Sequence, residues 1–139
     1  MSCFEIIIAI AGVIVLIFAT WIPLHIFRIG RFNKVADAFH TTFIDVITVL
    51  TQNIEGKREM MPIRIITNEV LAAQEKAKIP LERLLPKSKT KGFNAAWENY
   101  VNCRNSYQKD NSKPDPQIRE ESQYCLKHIE DLLIYAKPK

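Results

Sequence analysis

From Ile6 to Phe27 the chain reads IIIAIAGVIVLIFATWIPLHIF, without one Asp, Glu, Lys or Arg. A helix of that length reaches roughly 33 Å at ~1.5 Å per residue, enough to cross a hydrocarbon core of ~30 Å. A small soluble domain has too little protein to cover an all-round apolar helix of this size. A cleavable signal peptide fits no better, because it wants a positive leader, an apolar core of ~7–15 residues and a small-residue cleavage site. Here the leader Met-Ser-Cys-Phe-Glu has Glu5 as its only charged side chain, and Thr20-Trp21-Ile22-Pro23 makes a poor cleavage site. Cys3 precedes the apolar run, whereas a lipobox cysteine follows one. The expectation is a retained transmembrane helix over residues 6–27, behind a short external tail of residues 1–5.

Orientation follows from the flanks. Arg28, Arg31 and Lys34 come directly after the apolar run, and no basic side chain precedes it. The positive-inside rule therefore predicts an inner (plasma) membrane protein with its N-terminus outside and residues 28–139 in the cytoplasm. Trp21 and His25 suit the interfacial end of the span. Pro23 is tolerable there, where a kink frees few backbone groups.

Residues 28–139 are enough for one domain with its own core. They carry all 19 basic residues and every acidic one except Glu5, so this part is mildly basic. Such a balance suits life beside anionic lipid. It is too dispersed for nucleic acid, which wants a clustered basic stripe with aromatics, so no nucleic-acid partner is expected. The densest cluster, Lys87-Ser88-Lys89-Thr90-Lys91, reads as a solvated loop, with a lipid or phosphate contact as the second reading. Cys103 and Cys125 are expected as reduced thiols in a cytoplasmic domain, with Cys3 across the membrane from them. There is no Asn-x-Ser/Thr acceptor.

The patterning is mostly helical. Phe32, Val35, Ala36, Phe39, Phe43, Val46, Ile47 and Leu50 recur at three- and four-residue steps, marking one apolar helix face. Residues 44–51 are rich in β-branched side chains, so a short strand also fits there. Asn53 to Met61 reads as a polar connector. Pro62 fits the first turn of a helix running through Ile65, Ile66, Glu69, Val70 and Ala73 to about Lys78. Pro80 should interrupt it, and Pro86 should end a short turn over Leu81–Leu85, with a linker to Gly92. Phe93, Ala96, Trp97, Tyr100 and Val101 form the next face. Asp110 to Pro116 reads as a loop, with Asp115 and Pro116 opening a last helix. Its inward stripe is Ile118, Ser122, Cys125, Ile129, Leu132, Leu133 and Ala136. The fold class is mainly α: one transmembrane helix followed by a small helical domain.

No constellation in this domain declares a reaction. Cys125-x-x-His128 puts two metal-ligand types on adjacent turns, but a structural zinc site wants a second spaced pair, which Cys103 or His40 would have to supply. Cysteine–histidine catalysis would need Cys103 beside His40 or His128, and Cys103 sits near a helix C-terminus, the wrong end to lower a thiol pKa. The neighbours Glu120/Glu121 and Glu130/Asp131 read as solvated charge. No Gly-rich phosphate loop occurs. No catalytic, cofactor-binding or metal residue is assigned. The strongest cluster is aromatic: Phe93, Trp97 and Tyr100, with Tyr107 beyond. It reads as a packing ridge against the last helix with its Trp and Tyr polar groups directed outward, and alternatively as a partner-binding hot spot.

Phe93-x-x-Ala96-Trp97-x-x-Tyr100, followed by His128-Ile129-x-x-Leu132-Leu133-x-Tyr135-Ala136-Lys137, resembles a group of small single-span bacterial inner-membrane proteins. That group has a Phe-rich juxtamembrane segment like Phe32 to Phe43, and the resemblance implies no activity. Phe4-Glu5 opening an apolar helix, with Pro23 near its end, is similar to the N-terminal helix of type IV pilin-like proteins. The basic leader ending in Gly is absent here, as are clear strand repeats. The function these observations predict is a membrane-anchored protein-interaction module, its partners the lipid bilayer and a second protein or a second copy of itself. The alternative is an exported envelope or pilin-like subunit. A membrane-bound hydrolase or thiol enzyme using Cys103 or Cys125 is the third reading.

Overall fold

The helix does not end where the apolar run does. In a computed structural model, which describes residues 2–105 and 115–139, α1 (Cys3–Thr41) is one helix of 39 residues. Ser2 opens it with a capping box, its hydroxyl accepting the Glu5 N–H while the Glu5 carboxylate accepts the Ser2 N–H. The helix continues through Pro23 and does not turn away at Gly30. Its outer part is bare: the most apolar 18-residue window has a mean hydropathy of 2.7 and is 0 % buried. Among the described residues it is the one helix long and apolar enough to cross a membrane. Its inner part does the opposite, burying Phe32, Ala36 and Phe39 in the domain core.

Among the described residues six further elements follow: α2 (Ile44–Ile54), α3 (Pro62–Ile65), α4 (Asn68–Leu84), α5 (Lys87–Asn105), α6 (Asp115–Leu133) and a closing 3₁₀ turn (Ile134–Ala136). No strand occurs among the described residues. The main packing pairs are α2 on α6, α5 on α6 and α1 on α4. The core gathers Phe39, Phe43, Leu50, Ile66, Leu81, Phe93, Tyr100, Ile129 and Leu132, each fully buried.

Several boundaries differ from the sequence expectation. Residues 44–51 are helix, not strand. Val46, Leu50 and Asn53 face inward at helical spacing, and Thr48 and Thr51 send their hydroxyls back to the carbonyls of Ile44 and Ile47, at 2.8 and 2.7 Å. That back-bonding fits threonine into the helix despite its branched Cβ. The connector begins only after Ile54 and turns at Gly56, whose φ of 75° is a left-handed value that side chains disfavour.

The helix expected from Pro62 to Lys78 is two helices. It breaks at Ile66, and Thr67 restarts it by accepting the Val70 N–H at 3.2 Å. The restart changes the phase, so Glu69 and Ala73 are exposed and Gln74 and Leu81 are buried instead. Pro80 does not end α4. It lies on the exposed side, where the acceptor left open by its missing N–H faces solvent. The lysine cluster at 87–91 is the first turn of α5 and not a loop. The Pro86 carbonyl accepts from Lys89 N–H at 2.9 Å and Thr90 Oγ1 at 3.2 Å. At Gly92, α5 passes so close to the Tyr135 ring that a Cβ would run into it. Of the loop expected over 110–116, residues 110–114 lie outside the described residues, and α6 already includes Asp115 and Pro116.

Candidate functional site

Phe93 and Tyr100 sit on α5 at helical spacing and are both fully buried. Phe93 packs on α1 and on the closing 3₁₀ turn, and Tyr100 packs on Phe43 at the α1–α2 junction. The Phe93 ring centroid is 5.9 Å from Phe39 and 5.7 Å from Tyr135, and Tyr100 is 5.2 Å from Phe43, all edge to face. Contrary to expectation, the Tyr100 hydroxyl points inward. It donates to Gln74 Oε1 at 2.7 Å, and Gln74 Nε2 donates to the Thr42 carbonyl at 3.3 Å. One buried amide thus ties the α1–α2 junction, α4 and α5 together. Burial, more than any other influence, holds the Tyr100 phenol above its ordinary pKa, which keeps it a proton donor in this bridge.

Among the described members of the set, Trp97 is the one left half-exposed. Its ring lies 5.6 Å from Tyr100, and the Lys78 ammonium stands 5.6 Å from the Phe93 centroid and 5.7 Å from the Trp97 centroid. Glu82 fixes that ammonium at 3.1 Å and accepts from Asn94 Nδ2 at 2.9 Å. Those bonds, Asn94's first and Lys78's second, hold the Glu82 carboxyl below its usual range. Outward from Trp97 a shallow cleft of about 210 Å³ opens between Trp97, Glu98, Val101 and Asn102. Tyr107 lies outside the described residues.

The second polar knot was missed in the sequence because Asn53 read as connector. It is 3 % exposed at the end of α2. Its side chain donates to the Met60 carbonyl at 2.6 Å and to Ser122 Oγ at 3.0 Å, and accepts the Met60 N–H at 3.1 Å. The detectable signal was phase, since residue 53 continues the stripe of Val46 and Leu50. Phase also betrays Glu121, which is 1 % exposed and not solvated as expected. It belongs to the same inward stripe as Ser122 and Cys125 and lines a cleft with Arg104. Its neighbours Glu120, Glu130 and Asp131 are exposed.

Cys103 and Cys125 are free and buried, while Cys3 is exposed. The Cys103 thiol contacts Cys125 and donates to the Tyr100 carbonyl at 2.9 Å. That contact with Cys125, then burial, pushes the Cys103 thiol well above the ordinary range, the reverse of what a nucleophile needs. His128 stacks edge-on against Tyr124, with centroids 4.5 Å apart. Among the described residues no three of His, Cys, Asp and Glu gather to hold a metal ion. A maleimide added to the folded protein in detergent should modify Cys3 alone, with Cys103 and Cys125 reacting only after unfolding. Mass spectrometry counts the labels, and more than one before unfolding would contradict this burial.

Arg28, Arg31 and Lys34, expected from the sequence to flank a membrane, are exposed on α1, and no ion pair engages them among the described residues. One turn earlier the Trp21 and His25 rings stack in parallel, 5.0 Å apart. At this flank the chain's last described residue returns to α1. The Lys139 N–H donates to Asn33 Oδ1 at 2.8 Å, and Asn33 Nδ2 donates back to the Lys139 carbonyl at 3.2 Å. The Lys139 ammonium lies 4.7 Å from the Phe32 centroid.

The class these features define is a small helical bundle built on the inner end of a long, bare apolar helix. No protein-family model, curated protein or solved structure matches the chain.

Proposed function

We propose that the chain is a single-pass inner-membrane protein whose bundle stands on the cytoplasmic side and binds a protein partner, or a second copy of itself, through the Trp97 edge of α5. The observation that carries this reading is how the domain's chemistry is allotted. Tyr100, Gln74, Asn53, Ser122 and Cys103 are committed to internal bonds, whereas the Trp97 ring keeps an open side beside a cleft. Half-buried tryptophans on a rigid element are the usual anchors of protein interfaces. Orientation rests on Arg28, Arg31 and Lys34 at the inner end of the apolar run.

A photo-crosslinking amino acid at Glu98, beside the cleft, tests the contact in intact membranes. A discrete adduct, reduced at least tenfold by Trp97→Ala, is the expected outcome. The Trp97→Ala protein should keep its thermal transition within a few degrees, because this side chain is only partly buried. An adduct unaffected by the substitution would remove Trp97 from the interface. An adduct of twice the protein's mass would identify the partner as a second copy.

The exported-subunit alternative draws on α1 itself, with its bare outer part and packed inner part, a form that suits an envelope or pilin-like subunit. The described residues of the domain form helices and no strand, a departure from the strand repeats expected of that group. Reporters active in one compartment, fused after Lys139, decide between the two: cytoplasmic activity supports the anchored module, and external activity supports the subunit.

A further inference from the structure

We infer that the inner flank of α1 is a binding groove for the headgroup of an anionic membrane phospholipid, an inference that rests on the transmembrane reading of this helix. The groove, about 630 Å³, is bounded by Leu24, Phe27, Arg28 and Arg31 on α1, by Leu84 at the end of α4, and by Lys139. Residues 24, 27, 28 and 31 are spaced i, i+3, i+4 and i+7, so they form one stripe on the helix surface. The stripe changes character along its length. Leu24 and Phe27 belong to the charge-free run, and Arg28 and Arg31 are the first charges after it. An acyl chain and a phosphate are joined in that same order.

Three features make this a shaped site and more than a basic surface. The guanidinium groups of Arg28 and Arg31 have no carboxylate partner among the described residues, and no Asp or Glu lines the groove. Lys139 is positioned as the third cation, its backbone clamped to Asn33 by two hydrogen bonds and its ammonium held over the Phe32 ring. The bundle itself, through Leu84, walls the side that would otherwise open to water. Planar guanidinium groups bind phosphate oxygens in pairs, which suits Arg28 and Arg31 to a headgroup phosphate. Lys34 follows Arg31 by the same three residues that separate Arg31 from Arg28, but it is not part of the groove.

That difference supplies the test, and Trp21 supplies the reporter. Trp21 precedes Leu24 and Arg28 by three and seven residues on the same stripe. Of the chain's two tryptophans, Trp97 is removed by Trp97→Phe. The full chain is placed in phosphatidylcholine vesicles containing 10 mol% of either phosphatidylglycerol or phosphatidylcholine with brominated acyl chains, and Trp21 quenching is compared. The expected result is a preference for brominated phosphatidylglycerol of about fivefold, the ordinary worth of one basic side chain beside anionic lipid, or more. Arg28→Gln with Arg31→Gln should abolish it, and Lys34→Gln should leave it intact. Equal quenching by the two brominated lipids would overturn the groove while leaving the span in place. Equal loss with Lys34→Gln would also overturn it, since general surface charge would then suffice. Displacement by millimolar inorganic phosphate would show a site for soluble phosphate and overturn the lipid assignment. Absence of quenching by either lipid would overturn the transmembrane reading itself, and the groove with it.

Discussion

Replacing Phe39 by Ala is expected to unfold the bundle while leaving the outer part of α1 helical. Phe39 is fully buried where α1 enters the domain, with Phe43 5.0 Å and Phe93 5.9 Å from its ring centroid. Truncating a buried Phe costs about 3–5 kcal/mol, through lost transfer energy and the cavity left behind. Domains of this size have total stabilities of about 5–15 kcal/mol, so the loss approaches the lower bound of the whole. The outer part of α1 needs no help from Phe39, because its backbone bonds are internal to the helix. Near-ultraviolet circular dichroism in mild detergent should therefore collapse, or its urea midpoint fall sharply, with far-ultraviolet helicity only partly reduced. A change under about 1 kcal/mol would show that Phe39 is not a keystone of this core.

Asn53→Ala should be the most damaging polar substitution. It removes three hydrogen bonds together and strands the Met60 N–H, the Met60 carbonyl and the Ser122 hydroxyl in a partly or wholly buried setting. Leaving buried polar groups unpaired costs about 1–3 kcal/mol each before relaxation, so a net loss of about 2–4 kcal/mol is expected. Ser122→Ala deletes one bond and should cost only about 1 kcal/mol. Chemical denaturation of the two variants beside the parent protein measures both. A smaller loss for Asn53→Ala than for Ser122→Ala would mean that the turn after α2 is not fixed by this side chain.

The two variants mark where the sequence was legible and where it was not. Phe39 was visible because apolar periodicity is written in side-chain type. The run from Phe32 to Leu50 identified the buried face of α1 and α2 even though the helix break between them was unplaced. Asn53, Gln74 and Glu121 were invisible to that reading because polar residues score as surface. Their burial depends on partners distant in sequence: Ser122 for Asn53, and Thr42 and Tyr100 for Gln74. Proline misled at Pro80, because its cost depends on which side of the helix it faces, a property of tertiary packing. Lysines misled at 87–91 for the same reason, since an exposed first turn accepts them despite an unfavourable dipole. Of the candidate sites, the aromatic set was readable on α5 and the basic flank on α1. The wall that Leu84 and Lys139 add to the flank was not, since neither is near it in the chain.

Because α1 passes from its bare outer part into the core without a hinge, the bundle has a fixed compass bearing about the helix axis. Rotation of the outer segment and rotation of the domain are one motion. A single residue added between Phe27 and Arg31 would swing the bundle by about 100° relative to Trp21 and lift it by ~1.5 Å, with each half internally unchanged. Seven added residues would nearly restore the bearing, at a height ~10 Å greater. The direction and the height at which the Trp97 edge is presented are therefore set by the count of residues in α1, a different helix from the one that carries it.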